Sequence, residues 1–120
     1  MHNIFQKTIA KELKFEGIGL HTGETARIKI CPANTDQGII FLRTDLNSNN
    51  KIVANFKNVS NAKLCTTLSN EFGVTVSTVE HLMAAFYILG IDNAVVEINK
   101  SEVPIMDGSS KDFIDLLNSV

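Results

Sequence analysis

The order of two hydrophobic periodicities restricts the folds open to this chain more than any other feature of its sequence. Before residue 70, apolar and polar residues alternate over 5–15 and 25–30, which is typical of half-buried strands, and 39–43, 51–56 and 64–68 are further short strand candidates. After that point, Val79, Leu82, Met83 and Phe86 follow the i, i+3, i+4, i+7 spacing of an amphipathic helix. Several strands before one helix, with a further strand and helix behind it, predict an α+β fold. We expect a two-layer sandwich in which a mixed, mostly antiparallel sheet carries both helices on one face.

The individual elements follow from the same periodicities and from the turn residues between them. The predicted strands cover residues 5–15, 25–30, 39–43, 51–56, 64–68 and 93–99, and the predicted helices cover 77–90 and 109–118. Ser77 and Glu80, three positions apart, are typical of a capping box at the first helix start. Gly90 suits a left-handed residue at the end of that helix. The helix residues predicted to be buried are Val79, Leu82, Met83, Phe86, Phe113 and Leu116.

Length and composition are those of one ordinary domain over residues 1–120. With 44% apolar and 20% charged residues, a chain of 120 residues can bury a single core. The formal net charge is −2 and no basic stripe is present, which argues against nucleic acid as a partner. We expect no secretory signal, because no basic segment precedes an apolar stretch at the amino terminus. We also expect no transmembrane segment, since no apolar run approaches the roughly 20 residues that a spanning helix needs.

Glu80 and His81 form the most informative pair for chemistry. They are neighbours near a predicted helix start, so their side chains point about 100° apart and both can reach the rim above the helix. The peptide N–H groups of a helix start favour an anionic carboxylate and a neutral imidazole. Those are the forms needed by a general base and a metal ligand. In the alternative interpretation, Glu80 only caps the helix and His81 only packs on the surface.

His21 and Cys65 are weaker candidates. His21 lies in a segment with three glycines in seven residues, where the backbone can approach a ligand closely, or where two strands simply connect. Cys65 could be a soft metal ligand or a small core residue. Cys31 and Cys65 fit reduced thiols, with a single disulfide as the alternative. A catalytic zinc normally has three protein ligands, so the good candidates fall short by at least two.

Several short motifs occur in an order that points to one family. They are GIGLHTG at 17–23, LCT at 64–66, TVEHL at 78–82, LGIDN at 89–93 and PIMDGS at 104–109. Their order and spacing closely resemble the bacterial UDP-3-O-acyl-N-acetylglucosamine deacetylases of lipid A synthesis, over essentially the whole chain. The resemblance implies a cytoplasmic hydrolase with one zinc ion. It would remove the acetyl group from the glucosamine nitrogen of a UDP-linked, 3-O-acylated sugar.

The resemblance also implies roles for individual residues. His81 would be a zinc ligand and Glu80 the general base for the attacking water. His21 and Cys65 would lie near the site, with no role assigned to either, and Asp107 would serve the structure of its motif. The family has two similar domains with the active site between them. Its second domain supplies a histidine and an aspartate as further ligands, another histidine as acid or stabiliser, and the acyl-chain tunnel.

None of those second-domain positions occurs in this sequence, which therefore matches only the first domain. We expect the chain to be one half of the enzyme, inactive by itself, with a second catalytic domain as its partner. The alternative is a non-catalytic, truncated α+β module.

Overall fold

A computed structural model of the chain describes residues 5–61, 65–106 and 110–119. Within these residues the chain forms eight strands, two α-helices and one short 3-10 helix. In chain order they are β1 (Leu13–Ile18), β2 (Thr25–Pro32), β3 (Ile39–Arg43), β4 (Lys51–Val53), the 3-10 helix (Phe56–Asn58), β5 (Val59–Asn61), β6 (Thr67–Ser69), β7 (Thr75–Ser77), α1 (Glu80–Leu89), β8 (Ala94–Ile98) and α2 (Lys111–Asn118). None of the described helices is both long enough and apolar enough to cross a membrane.

The larger sheet has five strands in the order β1-β2-β8-β3-β4. All neighbouring strands are antiparallel except β3 and β8, which are parallel. The register aligns the apolar residues of adjacent strands, so that Ile28 lies opposite both Phe15 and Ile98. In the same way Phe41 lies opposite both Val96 and Ile52. Because directly opposed side chains share a face, this register makes one face of the sheet apolar.

Both helices pack against that apolar face and against each other. Leu82, Ala85 and Phe86 of α1 and Phe113 and Leu117 of α2 are buried in the same core as the sheet residues. Full burial of a large apolar side chain stabilises the fold by about 1.5–3 kcal/mol, so these residues hold the two layers together. The predicted α+β sandwich, with a mixed, mostly antiparallel sheet, is therefore confirmed.

Two side chains that were predicted to be buried lie at the edge of the core. Met83 and Leu116 pack against it but are only half-buried. Their positions on the helices place them where the core meets the surface.

A second sheet was not anticipated from the sequence. Strands β5, β6 and β7 form a three-stranded antiparallel sheet, and Leu68 and Val76 from it are buried in the common core. The last residue of β7 also pairs with a later segment. The N–H of Ser77 donates to the carbonyl of Ser101 at 2.8 Å, and the N–H of Val103 donates to the carbonyl of Ser77 at 3.0 Å. Residues 101–103 therefore lie beside the start of α1.

Several predicted boundaries are wrong, and those of the first strand and the first helix are among them. The first strand begins at Leu13, whereas residues 5–12 are not a strand. They bond to a distant loop instead, because the N–H of Lys7 donates to Asp92 and the hydroxyl of Thr8 donates to the carbonyl of Asn93. Helix α1 begins at Glu80 and has no side-chain cap, so the predicted capping box is also wrong. Ser77, the residue predicted to cap the helix, belongs to strand β7 instead.

Candidate functional site

The residue before the helix cap of α1 has an unusual backbone conformation. Thr78 is buried and has a φ of 59°, in the left-handed region that β-branched residues rarely adopt. This residue lies in the two-residue connection between β7 and α1. As a result Val79 caps the helix, and Glu80 and His81 become its first two residues.

Glu80 is half-buried at the first position of α1. Both of its carboxylate oxygens lie 3.4 Å from the backbone nitrogen of Thr66, which is long for a hydrogen bond. It borders a shallow cavity whose other walls include Leu68 and Met83. A carboxylate that is weakly bonded and faces a cavity keeps lone pairs free to accept a proton.

His81 is half-buried at the second position of α1. Its imidazole makes no hydrogen bond or ion pair with the parts of the chain that the structure describes. A partly exposed imidazole without a protein partner suits one ligand of a metal site. Across residues 5–61, 65–106 and 110–119, no three His, Cys, Asp or Glu side chains cluster as metal ligands. The described residues therefore fit one ligand of a catalytic zinc rather than a full set.

His21 is held by a buried carboxylate that sequence reasoning missed. The side chain of Glu102 is completely buried, whereas 43% of the His21 side chain is exposed. Oε1 of Glu102 accepts hydrogen bonds from the backbone N–H groups of Thr22, at 2.9 Å, and of His21, at 3.0 Å. Oε2 lies 2.7 Å from both Nδ1 of His21 and the hydroxyl of Thr78. One carboxylate therefore joins the His21 loop to the turn that precedes α1.

The contacts of Glu102 determine its charge. Burial raises the pKa of its carboxyl, but hydrogen bonds from the Thr78 hydroxyl, the backbone of Thr22, and the ring and backbone of His21 outweigh burial and lower the pKa to about 2. Glu102 is therefore ionised at neutral pH. Because an ionised carboxylate can only accept hydrogen bonds, Nδ1 of His21 must carry the hydrogen between them.

Gly19 allows the His21 loop to close over this carboxylate. A Cβ atom added at Gly19 would lie 2.4 Å from Oε1 of Glu102 and 2.6 Å from the hydroxyl oxygen of Thr22. The glycine-rich segment does permit a close approach, as the sequence indicated, but the approach is to a side chain of the same protein. The only local signal for Glu102 was its position just before the PIMDGS motif, which did not single it out.

The remaining candidates are less informative. Cys65 is a free, half-buried thiol whose Sγ lies 3.8 Å from the hydroxyl oxygen of Thr67. It precedes Thr66, the residue that faces Glu80. Cys31 is also free, which leaves no disulfide between the two cysteines. Asp107 lies outside the described residues.

Comparisons with known proteins agree on one family. The sequence profile described as LpxC, UDP-3-O-acyl N-acetylglycosamine deacetylase, matches residues 6–120. Relatives named UDP-3-O-acyl-N-acetylglucosamine deacetylase occur in Shewanella sp. strain ANA-3, Shewanella sp. strain MR-4 and Shewanella baltica strain OS155. Each is 47% identical over 116 residues, which is 97% of this chain and 38% of the relative. The chain thus spans less than half the length of the curated relatives that it matches.

Proposed function

Since the chain belongs to the UDP-3-O-acyl N-acetylglycosamine deacetylase family, we propose that it forms part of a zinc-dependent hydrolase of lipid A synthesis. The substrate would be UDP-3-O-acyl-N-acetylglucosamine, from which the enzyme removes the N-acetyl group. The observation that carries the proposal is the pair at the start of α1, where Glu80 and His81 are both half-buried and accessible. The cytoplasmic location implied by the resemblance belongs to the same proposal.

Glu80 would act as the general base. Its carboxylate accepts the proton of the attacking water, a role that fits its place beside a cavity and its long contacts to the Thr66 backbone. A positioned base of this kind typically contributes roughly 10²- to 10⁴-fold in rate.

His81 would supply one ligand to the zinc ion, because its imidazole has no partner within the described part of the chain. When bound, zinc would polarise the amide carbonyl and acidify the attacking water. Departure of the amine requires a proton as well, and we assign that acid to a part of the enzyme beyond this chain.

We further propose that a second domain completes the site. The matched relatives are longer, since the chain covers only 38% of their length. Helix α1 also exposes neighbouring apolar side chains, because Tyr87 is 87% exposed and Ile88 is 60% exposed. Exposed apolar surface of this kind marks contact sites between domains or proteins. A second domain seated near α1 could cover these side chains and bring the missing zinc ligands to His81.

The test is turnover of UDP-3-O-acyl-N-acetylglucosamine by the chain joined to the remaining length of its relatives. We expect zinc-dependent release of acetate that Glu80→Gln abolishes. Turnover that survives both Glu80→Gln and His81→Ala would contradict the proposed site. If the joined protein folds but the wild type shows no turnover, the result would favour the alternative of a non-catalytic module.

A further inference from the structure

Glu102 is a buried, charged side chain to which the proposed reaction gives no part. We propose that Glu102 is a positioning residue, which ties the His21 loop to Thr78 and so fixes how Glu80 and His81 leave the start of α1. This inference rests on the proposed function for the importance of Glu80 and His81. The linkage itself rests on contacts among described residues.

The first argument is that one carboxylate serves two segments far apart in sequence. His21 and Thr22 lie 81 and 80 positions from Glu102, and Thr78 lies 24 positions from it. A single oxygen, Oε2, bonds to both the His21 ring and the Thr78 hydroxyl at 2.7 Å. A displacement of either segment would therefore move the carboxylate that holds the other segment.

The second argument concerns the backbone around Thr78. Its left-handed φ of 59° is rare for a β-branched residue and needs support from its surroundings. That support comes from two sides. The backbone pairing of Ser77 with residues 101–103 holds the preceding residue, and the buried Glu102 carboxylate holds the Thr78 hydroxyl. The conformation of this turn therefore sets the direction in which Glu80 and His81, which follow the helix cap, leave the start of α1.

The third argument concerns the ring of His21. Because Nδ1 donates to Glu102, the neutral ring is held with its hydrogen on Nδ1 and an unprotonated Nε2. The side chain of His21 is 43% exposed, and Nε2 is the ring nitrogen that the contact with Glu102 leaves unengaged. Glu102 thus sets the tautomer of His21 as well as the direction of α1.

Nuclear magnetic resonance of the chain tests the linkage without any need for turnover. Ring ¹⁵N shifts at alkaline pH report the tautomer of neutral His21, and amide shifts report the position of Glu80 and His81. We expect Glu102→Gln to move His21 toward the Nε2–H tautomer and to shift both helix amides.

The matched pair Thr78→Val and Thr78→Ser separates the linkage from a merely stabilising role. Thr78→Val keeps the shape of the side chain and removes the hydroxyl, so it should shift the ring nitrogens of the distant His21. Thr78→Ser keeps the hydroxyl and should resemble the wild type. Unchanged His21 ring shifts in Thr78→Val would overturn the proposal, and this holds even if Glu102→Gln fails to fold.

Kinetics of the complete enzyme provide the second readout. We expect Thr78→Val to lower kcat roughly 10- to 100-fold per folded molecule, with KM nearly unchanged and with rescue in Thr78→Ser. If the loss of activity is explained entirely by a smaller fraction of folded protein, the positioning role is overturned. If no form of the protein deacetylates the sugar nucleotide, the proposed function fails while the resonance result still decides the linkage.

Discussion

At the scale of single residues, Glu80 and Glu102 show how surroundings give two carboxylates different properties. Glu102 is enclosed and accepts hydrogen bonds from the His21 ring, the Thr78 hydroxyl and two backbone N–H groups. Its lone pairs are therefore occupied. Glu80 is half-buried and has only the long contacts to the Thr66 backbone. Of these two carboxylates, Glu80 is therefore the one whose oxygens remain accessible.

The substitution Glu80→Gln tests this difference by activity. In the complete enzyme it should lower kcat by roughly 10²- to 10⁴-fold, because the amide cannot accept the proton of water. The melting temperature should hardly change, since the hydrogen bonds between Glu80 and the Thr66 backbone are long and weak. Glu71→Gln, at an exposed turn position, is the matched control and should leave kcat intact. Equal effects of the two substitutions would contradict a base role for Glu80.

The substitution Glu102→Gln tests the buried carboxylate by the pH dependence of stability. The folded-state pKa of about 2 lies below the ordinary value of 4.5, so Glu102 stabilises the fold above pH 4.5 and loses this contribution as pH falls toward 2. The shift corresponds to about 3 kcal/mol.

Urea denaturation of wild type and Glu102→Gln measures this contribution. At pH 7 the variant should have the lower free energy of unfolding, and the difference should shrink between pH 4.5 and pH 2. A difference that is constant over this range would show that the hydrogen bonds to Glu102 do not lower its pKa. Comparing the two proteins at each pH cancels the other acidic groups, such as Asp45, whose hydrogen bond from Arg43 also lowers its pKa.

At the scale of elements, α1 has a weak start and a well-bonded end. The end is a left-handed Gly90 with a φ of 69°. Its N–H donates to the carbonyl of Tyr87 at 3.1 Å, and the N–H of Ile91 donates to the carbonyl of Phe86 at 2.9 Å. These two bonds satisfy carbonyls that a helix end would otherwise leave without partners.

Gly90→Ala should lower the free energy of unfolding by about 1 kcal/mol. An added Cβ would meet no atom within 4 Å, so the cost comes from the backbone conformation alone. Gly90→Asn is the control, because asparagine tolerates the left-handed region and should cost less. Urea denaturation of the three proteins decides the point. Equal losses for the two variants would show that the conformation is not the cause.

At the scale of the whole molecule, we predict that the 120-residue chain alone neither holds zinc tightly nor deacetylates the sugar nucleotide. One imidazole cannot replace a three-ligand catalytic site, and each missing ligand loosens the metal. Metal analysis after dialysis, together with an assay in added zinc, measures both properties. Zinc-dependent turnover by the isolated chain that Glu80→Ala abolishes would contradict this prediction.

Local patterns determined much of the fold. The alternation in β2 and β8 and the helical spacing from Val79 to Phe86 predicted the apolar faces that meet in the core. Gly90 predicted the end of α1 for an equally local reason, since the left-handed conformation depends on a single residue. The start of β1 and the small sheet were not predictable in this way. Their limits depend on pairing and on loop contacts with distant residues.

In the candidate site, too, some residues were predictable from the sequence and one was revealed only by the tertiary structure. The sequence alone placed Glu80 and His81 together near a helix start, because neighbours in a chain remain neighbours in any fold. Only the tertiary structure revealed Glu102, whose contacts with His21 span 81 positions. A hydrogen bond over that distance leaves no periodicity and no spacing for a pattern to detect. It exists because the pairing of residues 101–103 with β7 brings a buried carboxylate between the His21 loop and the turn before α1.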